Sequence, residues 1–261
     1  MRTDTSILSP AANIALSTEG LTKVWGSFVA NSDINFQLPV GARHAIIGPN
    51  GAGKTTFINM LTGVLPPSSG RVFVGGEDVT ADAQERRVRK GIARTFQINN
   101  LFPGLTVLES VLLAILERKG MAQHWFRPLN AHAAEIEEAL DLITDLGLEP
   151  QAGEEVKTLA YGKQRLVEIA LALATRPRIL LLDEPAAGIP AGESTEVFSV
   201  IARLPSDVSI LFIEHDMELV RRFSQRITVL VGGKVLTEGV PDEIMSDPRV
   251  REVYLGEGGH D

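Results

Sequence analysis

The sequence has no cysteine among its 261 residues. A disulfide framework, a thiolate nucleophile and a cysteine-based zinc site are therefore excluded. It also has no basic surplus: 25 Lys and Arg against 33 Asp and Glu leave a net charge of -8, so the charge balance carries no general footprint for nucleic acid. The densest basic run, Arg86-Arg87-Val88-Arg89-Lys90, is expected to be a solvated helix face. No stretch approaches the ~18 consecutive apolar residues needed to cross a bilayer. Met1 to Ala15 lacks the continuous apolar region of a secretory signal, so none is expected. Work at a membrane would then require other chains to span it. Internal repeats and low-complexity tracts are missing too.

Hydrophobic residues make up 44 % of the chain, enough for a large buried core. Its first third reads as mostly β: Gly20 to Trp25, Ile34 to Leu38 and Arg43 to Ile47, then the alternating Arg71 to Val74 before a Gly75-Gly76 turn. The middle changes period, with apolar residues at helical spacing over Thr106 to Leu116 and Ala131 to Leu146, split by an irregular segment from Lys119 to Asn130. Leu166 to Ala174 reads as a helix, while Ile179 to Leu182 and Val208 to Ile213 are short apolar runs suited to buried parallel strands. Ile227 to Val231 and Val235 to Glu238 suggest a closing hairpin. The alternation predicts an α/β fold, a mostly parallel sheet with helices on both faces, together with an antiparallel β subdomain and an inserted helical subdomain over about residues 98–165. Residues 1–15 read as an N-terminal extension and 16–261 as a single domain.

Gly48-Pro49-Asn50-Gly51-Ala52-Gly53-Lys54-Thr55 matches G-x-x-x-x-G-K-[ST], follows the apolar Ala45-Ile46-Ile47 and precedes the helical Phe57 to Leu61. That strand, loop and helix context is what a phosphate-binding loop requires. The glycines let backbone N–H groups turn toward phosphate oxygens, and the helix start adds positive dipole. Lys54 is the candidate for the β- and γ-phosphates of ATP and Thr55 for Mg²⁺, while Thr56 is taken with the loop and given no role of its own. Asp183 ends an apolar run, which puts it at the carboxyl edge of the sheet as a second Mg²⁺ candidate; Glu184 follows as the residue to orient attacking water. Leu159-Ala160-Tyr161-Gly162-Lys163-Gln164 starts the helix that leads into this strand, and points to a grip on ATP from a second side.

With these elements in this order over about residues 16–256, the chain resembles the ATP-binding subunit of an ABC transporter. Within that family it is most similar to the ATPases of branched-chain amino-acid uptake, through Arg94-Thr95-Phe96-Gln97, Tyr161 to Arg165, Asp183 to Gly188, Ile213 to Met217 and Tyr254-Leu255-Gly256. The resemblance implies that Trp25 stacks on adenine, that Gln97 contacts Mg²⁺ and the attacking water, and that His215 meets the γ-phosphate. It implies a head-to-tail dimer, in which Leu159 to Gln164 of one subunit grips ATP held by the other. A second ATP-binding subunit and transmembrane permeases would be direct partners, a solute-binding protein an indirect one, and nucleic acid none. The implied place is the cytoplasmic face of the inner membrane. Lipopolysaccharide export and soluble iron–sulfur assembly stay open as alternatives, because their ATPases share the architecture. A small-molecule kinase leaves the Leu159 to Gln164 segment, Gln97 and His215 without a task.

Two departures from the common family pattern stand out. Ala160 replaces a serine whose hydroxyl would reach the γ-phosphate, a contact worth about 1.5–3 kcal/mol to a charged group. Lys163 is the candidate to restore positive charge there. Ile189-Pro190 stands where the pattern has Leu-Asp, so the aspartate that communicates between opposing sites is missing.

Overall fold

The computed structural model describes residues 13–95, 104–121 and 132–255. In chain order the first part forms β1 (Ile14–Trp25), β2 (Phe28–Pro39), β3 (Arg43–Ile47), α1 (Lys54–Thr62), β4 (Ser69–Val74), β5 (Glu77–Asp78), α2 (Gln84–Arg89) and β6 (Ile92–Arg94). Helices α3 (Val107–Arg118), α4 (Ala133–Asp145) and α5 (Tyr161–Ala174) fill the middle. The chain then alternates through β7 (Ile179–Asp183), α6 (Ala191–Arg203), β8 (Ser209–Ile213), α7 (Met217–Phe223), β9 (Arg226–Val231), β10 (Lys234–Gly239), α8 (Pro241–Ser246) and α9 (Pro248–Leu255). β1 begins at Ile14, just inside the span read as an extension.

Six strands form the central sheet in the order β10-β9-β3-β8-β7-β6. All pairs are parallel except β10 with β9. Ala45 to Ile47 of β3, Ile179 to Leu182 of β7 and Ile210 to Ile213 of β8 are unbroken apolar runs because both faces of these strands are covered. Successive side chains point to opposite faces, and two cores result. Ala45, Ile47, Leu180, Leu182, Ile210 and Phe212 pack with α3, α5, α6 and α7. Ile46, Ile179, Leu181, Leu211 and Ile213 pack on the other side, and there the expectation of helices on both faces needs correcting. Among the described residues α1 supplies the helical face on that side; the rest of the cover is the expected antiparallel β subdomain, a second sheet in the order β2-β1-β4-β5. Leu16, Ile34, Phe36, Leu38 and Val72 form its apolar face, and an amphipathic sheet must bury that face against another layer.

Local signals place the helices. Thr106 caps α3 by accepting from the Glu109 N–H, while Glu109 reaches back to the Thr106 N–H, the reciprocal bonds of a capping box. Arg86, Val88 and Arg89 of the basic run are exposed as expected, but Arg87 is only 1 % exposed. Its guanidinium donates to the carbonyls of Met60, Leu61, Thr80 and Asp82, at 2.6, 2.8, 2.9 and 3.1 Å. A cation at the last turn of α1 satisfies carbonyls left over at a helix end. Lys90 of the same run pairs with Glu77 and Asp82.

His44 lies within β3, fully buried, with its Nε2 2.8 Å from Thr228 Oγ1 and its ring edge-on to Phe36. Burial, aided by Arg226 and opposed by Glu238, lowers its pKa from 6.5 to about 4. Unfolded His44 takes up a proton as pH drops below 6.5 while the folded residue stays neutral down to about 4, so its contribution to stability is lost across that window. His44→Asn should remove about 3 kcal/mol of pH dependence between pH 7 and 4, read as the difference between wild-type and variant urea-unfolding free energies at each pH.

Candidate active site

β3 ends at Ile47 and the chain turns through Gly48 to Gly53 before α1 begins at Lys54. Gly53 has φ 94°, and a Cβ there would stand 2.4 Å from the Ala30 carbonyl oxygen. Only glycine lets the loop lie this close to β2. The loop is pinned from two sides: Asn31 Nδ2 donates to the Gly53 carbonyl at 3.2 Å, and the Gly233 N–H donates to the Ala52 carbonyl at 3.1 Å. No side chain caps α1 at its start, so the dipole and N–H groups of the first turn face the loop. Lys54 folds back, donating to the carbonyls of Gly48 and Pro49 at 2.6 and 2.9 Å. Ala52 is buried, Gly48 also, and Pro49 and Thr56 half-buried, whereas Asn50, Gly51 and Thr55 are exposed.

Asp183 closes β7, and its Oδ2 accepts from Arg94 at 2.6 Å. The other arm of Arg94 donates to Asn59 Oδ1 on α1, also at 2.6 Å, so β6 ties the carboxylate to the phosphate-loop helix. Glu184 takes a left-handed backbone with φ 49°, a conformation costly for any residue with a Cβ. Its N–H donates to the Ile213 carbonyl at 3.0 Å, and its own carbonyl accepts from the Ala187 N–H. The side chain turns outward to place Oε1 2.8 Å from His215 Nε2, with both groups partly exposed. Beneath them lies Glu214, 4 % exposed, accepting from the Ala186 N–H at 2.7 Å and the His215 N–H at 3.0 Å. Burial pushes its carboxyl pKa up, against the pull of the N–H groups of Ala186, His215 and Asp216. Asp216 then caps α7 by accepting from Glu218 and Leu219.

The structure thus brings Glu184 and His215 into contact and sets Asp183 at the adjoining strand end. Their donor set fits Mg²⁺: Thr55 offers an exposed hydroxyl and Asp183 carboxylate oxygens, the hard ligands that ion takes beside water and phosphate. Among the described residues no cluster of three or more His, Asp or Glu could hold a metal by itself. Gln97 lies outside the described residues. Trp25, 54 % exposed at the end of β1, pairs across the hairpin with the exposed Phe28, and Lys23 Nζ sits 4.5 Å over its ring.

Leu159 is buried and Ala160 stands at the N-cap of α5, where its methyl group accepts nothing. Glu193 of α6 faces that end, with its carboxylate 3.3 Å from the Gly162 N–H. Lys163 pairs with Glu196 at 2.9 Å, so its charge is turned to α6. Gln164 donates to the Leu159 carbonyl, and Tyr161 is exposed, its ring against Gly188. Sequence reasoning assigned no role to Arg94, Arg165, Glu193 or Glu214. The one local signal was for Glu214, a carboxylate placed directly after the apolar run Ile210 to Ile213.

Residues 31–187 match the family model described as ABC transporter, and residues 234–260 match that of the branched-chain amino acid ATP-binding cassette transporter. The chain is 39 % identical to the high-affinity branched-chain amino acid transport ATP-binding protein BraF of Pseudomonas aeruginosa, covering 93 % of this chain and 98 % of that one. With LivG of Escherichia coli, of the same description, the identity is 37 % over the same shares. Among solved structures it is similar to a nucleotide-free ATP-binding cassette from an ABC transporter, with TM-score 0.80 and 31 % identity over 92 % of this chain and 98 % of that one. The ADP conformation of an ATP-binding cassette gives TM-score 0.81 and 31 % identity over 93 % and 99 %.

The close approach at Gly53 has a measurable consequence. Gly53→Ala should combine left-handed strain of about 1–2 kcal/mol with an overpacking cost of ~1–3 kcal/mol, and weaken ATP binding in calorimetry. Gly75→Ala is the control, since φ is 55° there and nothing lies within 4 Å of the added methyl group. It should show the strain alone, with ATP binding intact.

Proposed function

This chain belongs to the ABC transporter family, and from that premise we propose that it is the ATP-hydrolysing subunit that energises uptake of branched-chain amino acids. The match of its C-terminal segment, residues 234–260, to the branched-chain model supports this solute class over lipopolysaccharide export or iron–sulfur assembly. Among the described residues no helix is long and apolar enough to cross a membrane, so the proposed attachment is peripheral, through transmembrane permeases at the cytoplasmic face. A second ATP-binding subunit completes the pair, and a solute-binding protein delivers the cargo to the permeases. The proposed limits are a single ATP-binding domain over 16–261 with a helical subdomain at about 98–165.

The observation that carries the chemistry is the 2.8 Å contact of Glu184 Oε1 with His215 Nε2 beside Asp183. In the proposed mechanism the Gly48 to Thr55 backbone and Lys54 hold the phosphates of ATP, and Trp25 stacks on its adenine. Thr55, Asp183 and Gln97 would hold Mg²⁺, which would supply charge neutralisation at the phosphate oxygens. Glu184 orients the attacking water and receives its proton, and His215 donates toward the γ-phosphate. Water forms the new P–O bond, ADP leaves, and inorganic phosphate is the second product. Leu159 to Gln164 of the opposite subunit close over the same nucleotide. ATP favours the closed pair because it touches both halves only there. Because Ala160 brings no hydroxyl and Lys163 is paired with Glu196, that grip rests on the N–H groups at the start of α5, where the γ-phosphate would compete with the Glu193 carboxylate for that of Gly162.

Removing the acceptor tests this. Glu184→Gln should lower phosphate release by at least about 10²-fold, the lower end for a positioned base, and leave an ATP-bound dimer that persists in light scattering. Turnover near the wild-type rate would overturn the assignment. Co-purification of permeases from membranes, and loss of leucine uptake in cells carrying the variant, test the transport reading separately.

A further inference from the structure

The mechanism leaves several buried charges unused, and one of them touches the turn after β7. Arg165, on the second turn of α5, is 5 % exposed and pairs with Glu168, which is 2 % exposed. A buried ion pair contributes little net stability over well-packed apolar residues of the same volume. Its geometry shows what else it does. Nη1 meets Glu168, Nη2 donates to the Glu184 carbonyl at 2.8 Å, and Nε donates to the Pro185 carbonyl at 3.2 Å. One planar guanidinium thus binds consecutive carbonyls of the turn after β7, a fork geometry that an ammonium cannot copy.

Those carbonyls belong to the residue in the left-handed conformation, and such a conformation persists only where its surroundings over-determine it. Glu184 has the Ile213 carbonyl on its N–H, the Ala187 N–H on its carbonyl, and Arg165. The first two restraints come from β8 and from the turn itself. Arg165 comes from α5, the helix that opens with Leu159 to Gln164.

We propose that Arg165 is a positioning residue for hydrolysis, holding the Glu184 backbone so that its carboxylate stands beside His215, and tying that placement to the seating of α5. This rests on the reading of Glu184 as the carboxylate that orients water. It adds that whatever seats the N-terminus of α5 on the opposite nucleotide also sets the Glu184 of the same chain. Pro190 has no polar side chain for such a link, and Arg165 makes it through the fold's interior.

Two variants test the proposal. Arg165→Lys keeps a positive charge against Glu168 but loses the fork, and Arg165→Met with Glu168→Gln removes the pair without leaving a buried charge alone. Each is assayed for melting temperature, ATP Kd, and kcat and KM of ATP hydrolysis, alone and combined with Glu184→Gln. The expected result is ATP Kd within about twofold of wild type and kcat lower by roughly 10–100-fold, as for a small misplacement of a reacting group. Adding Glu184→Gln to Arg165→Lys should give the residual rate of Glu184→Gln alone. Unchanged kcat in folded variants, with Glu184→Gln inactive, overturns the role of Arg165 and spares that of Glu184. A loss of ATP affinity matching the loss of kcat shows a structural role only and also overturns it. Normal turnover in Glu184→Gln overturns both readings.

Discussion

Parallel pairing in the central sheet governs everything at the site. β3, β8 and β7 run side by side in one direction, and Ile213 pairs with both Ile46 and Asp183. Three loops therefore leave the same edge at nearly the same height: the phosphate loop after β3, the Asp183-Glu184 turn after β7, and the Glu214-His215 turn after β8. Register carries strong weight here, because a slip of one residue would exchange the two faces of a strand and move the buried Leu180 and Leu182 off their core. The apolar patterning that holds the sheet together is thus also what brings the polar groups to one place.

At that edge the backbone is held in conformations it would not adopt alone. Glu184 is left-handed, and restraints from β8, the following turn and α5 converge on it. Buried Glu214 joins the Ala186 N–H to the His215 N–H, so the turns after β7 and β8 move as one piece. Arg94 does the same between Asp183 and Asn59 of α1. Charged groups buried in this way add little net stability, and their conspicuous effect is to set the relative positions of loops.

The segment proposed to face the second subunit is built on the same principle. Ala160 leaves the start of α5 without a side-chain cap, and two carboxylates of α6 lie across it, Glu193 toward the Gly162 N–H and Glu196 on Lys163. Anions favour helix N-termini. In the proposed dimer the γ-phosphate meets a helix start that already has carboxylates beside it, and it competes with Glu193 for the Gly162 N–H.

By itself the sequence determined the elements whose causes are local. The G-x-x-x-x-G-K-T spacing between an apolar strand and a helix, the helical spacing of Thr106 to Leu116, and the short runs Ile179 to Leu182 and Val208 to Ile213 are each complete within about a dozen residues. Tertiary structure alone decided what depends on partners far along the chain. Arg87 reads as one more surface cation until the end of α1 arrives to take its hydrogen bonds. The β-rich first third reads as an antiparallel subdomain, but that β1, β2 and β4 replace helices over one face of the central sheet is settled only by the packing of their apolar side. Arg165, Glu214 and Arg94 acquire their tasks only when carbonyls, N–H groups and a carboxylate from other elements are brought within hydrogen-bond reach. Periodicity and spacing record what a residue needs from its immediate neighbours, whereas a hydrogen bond across layers is specified by the packing of the whole.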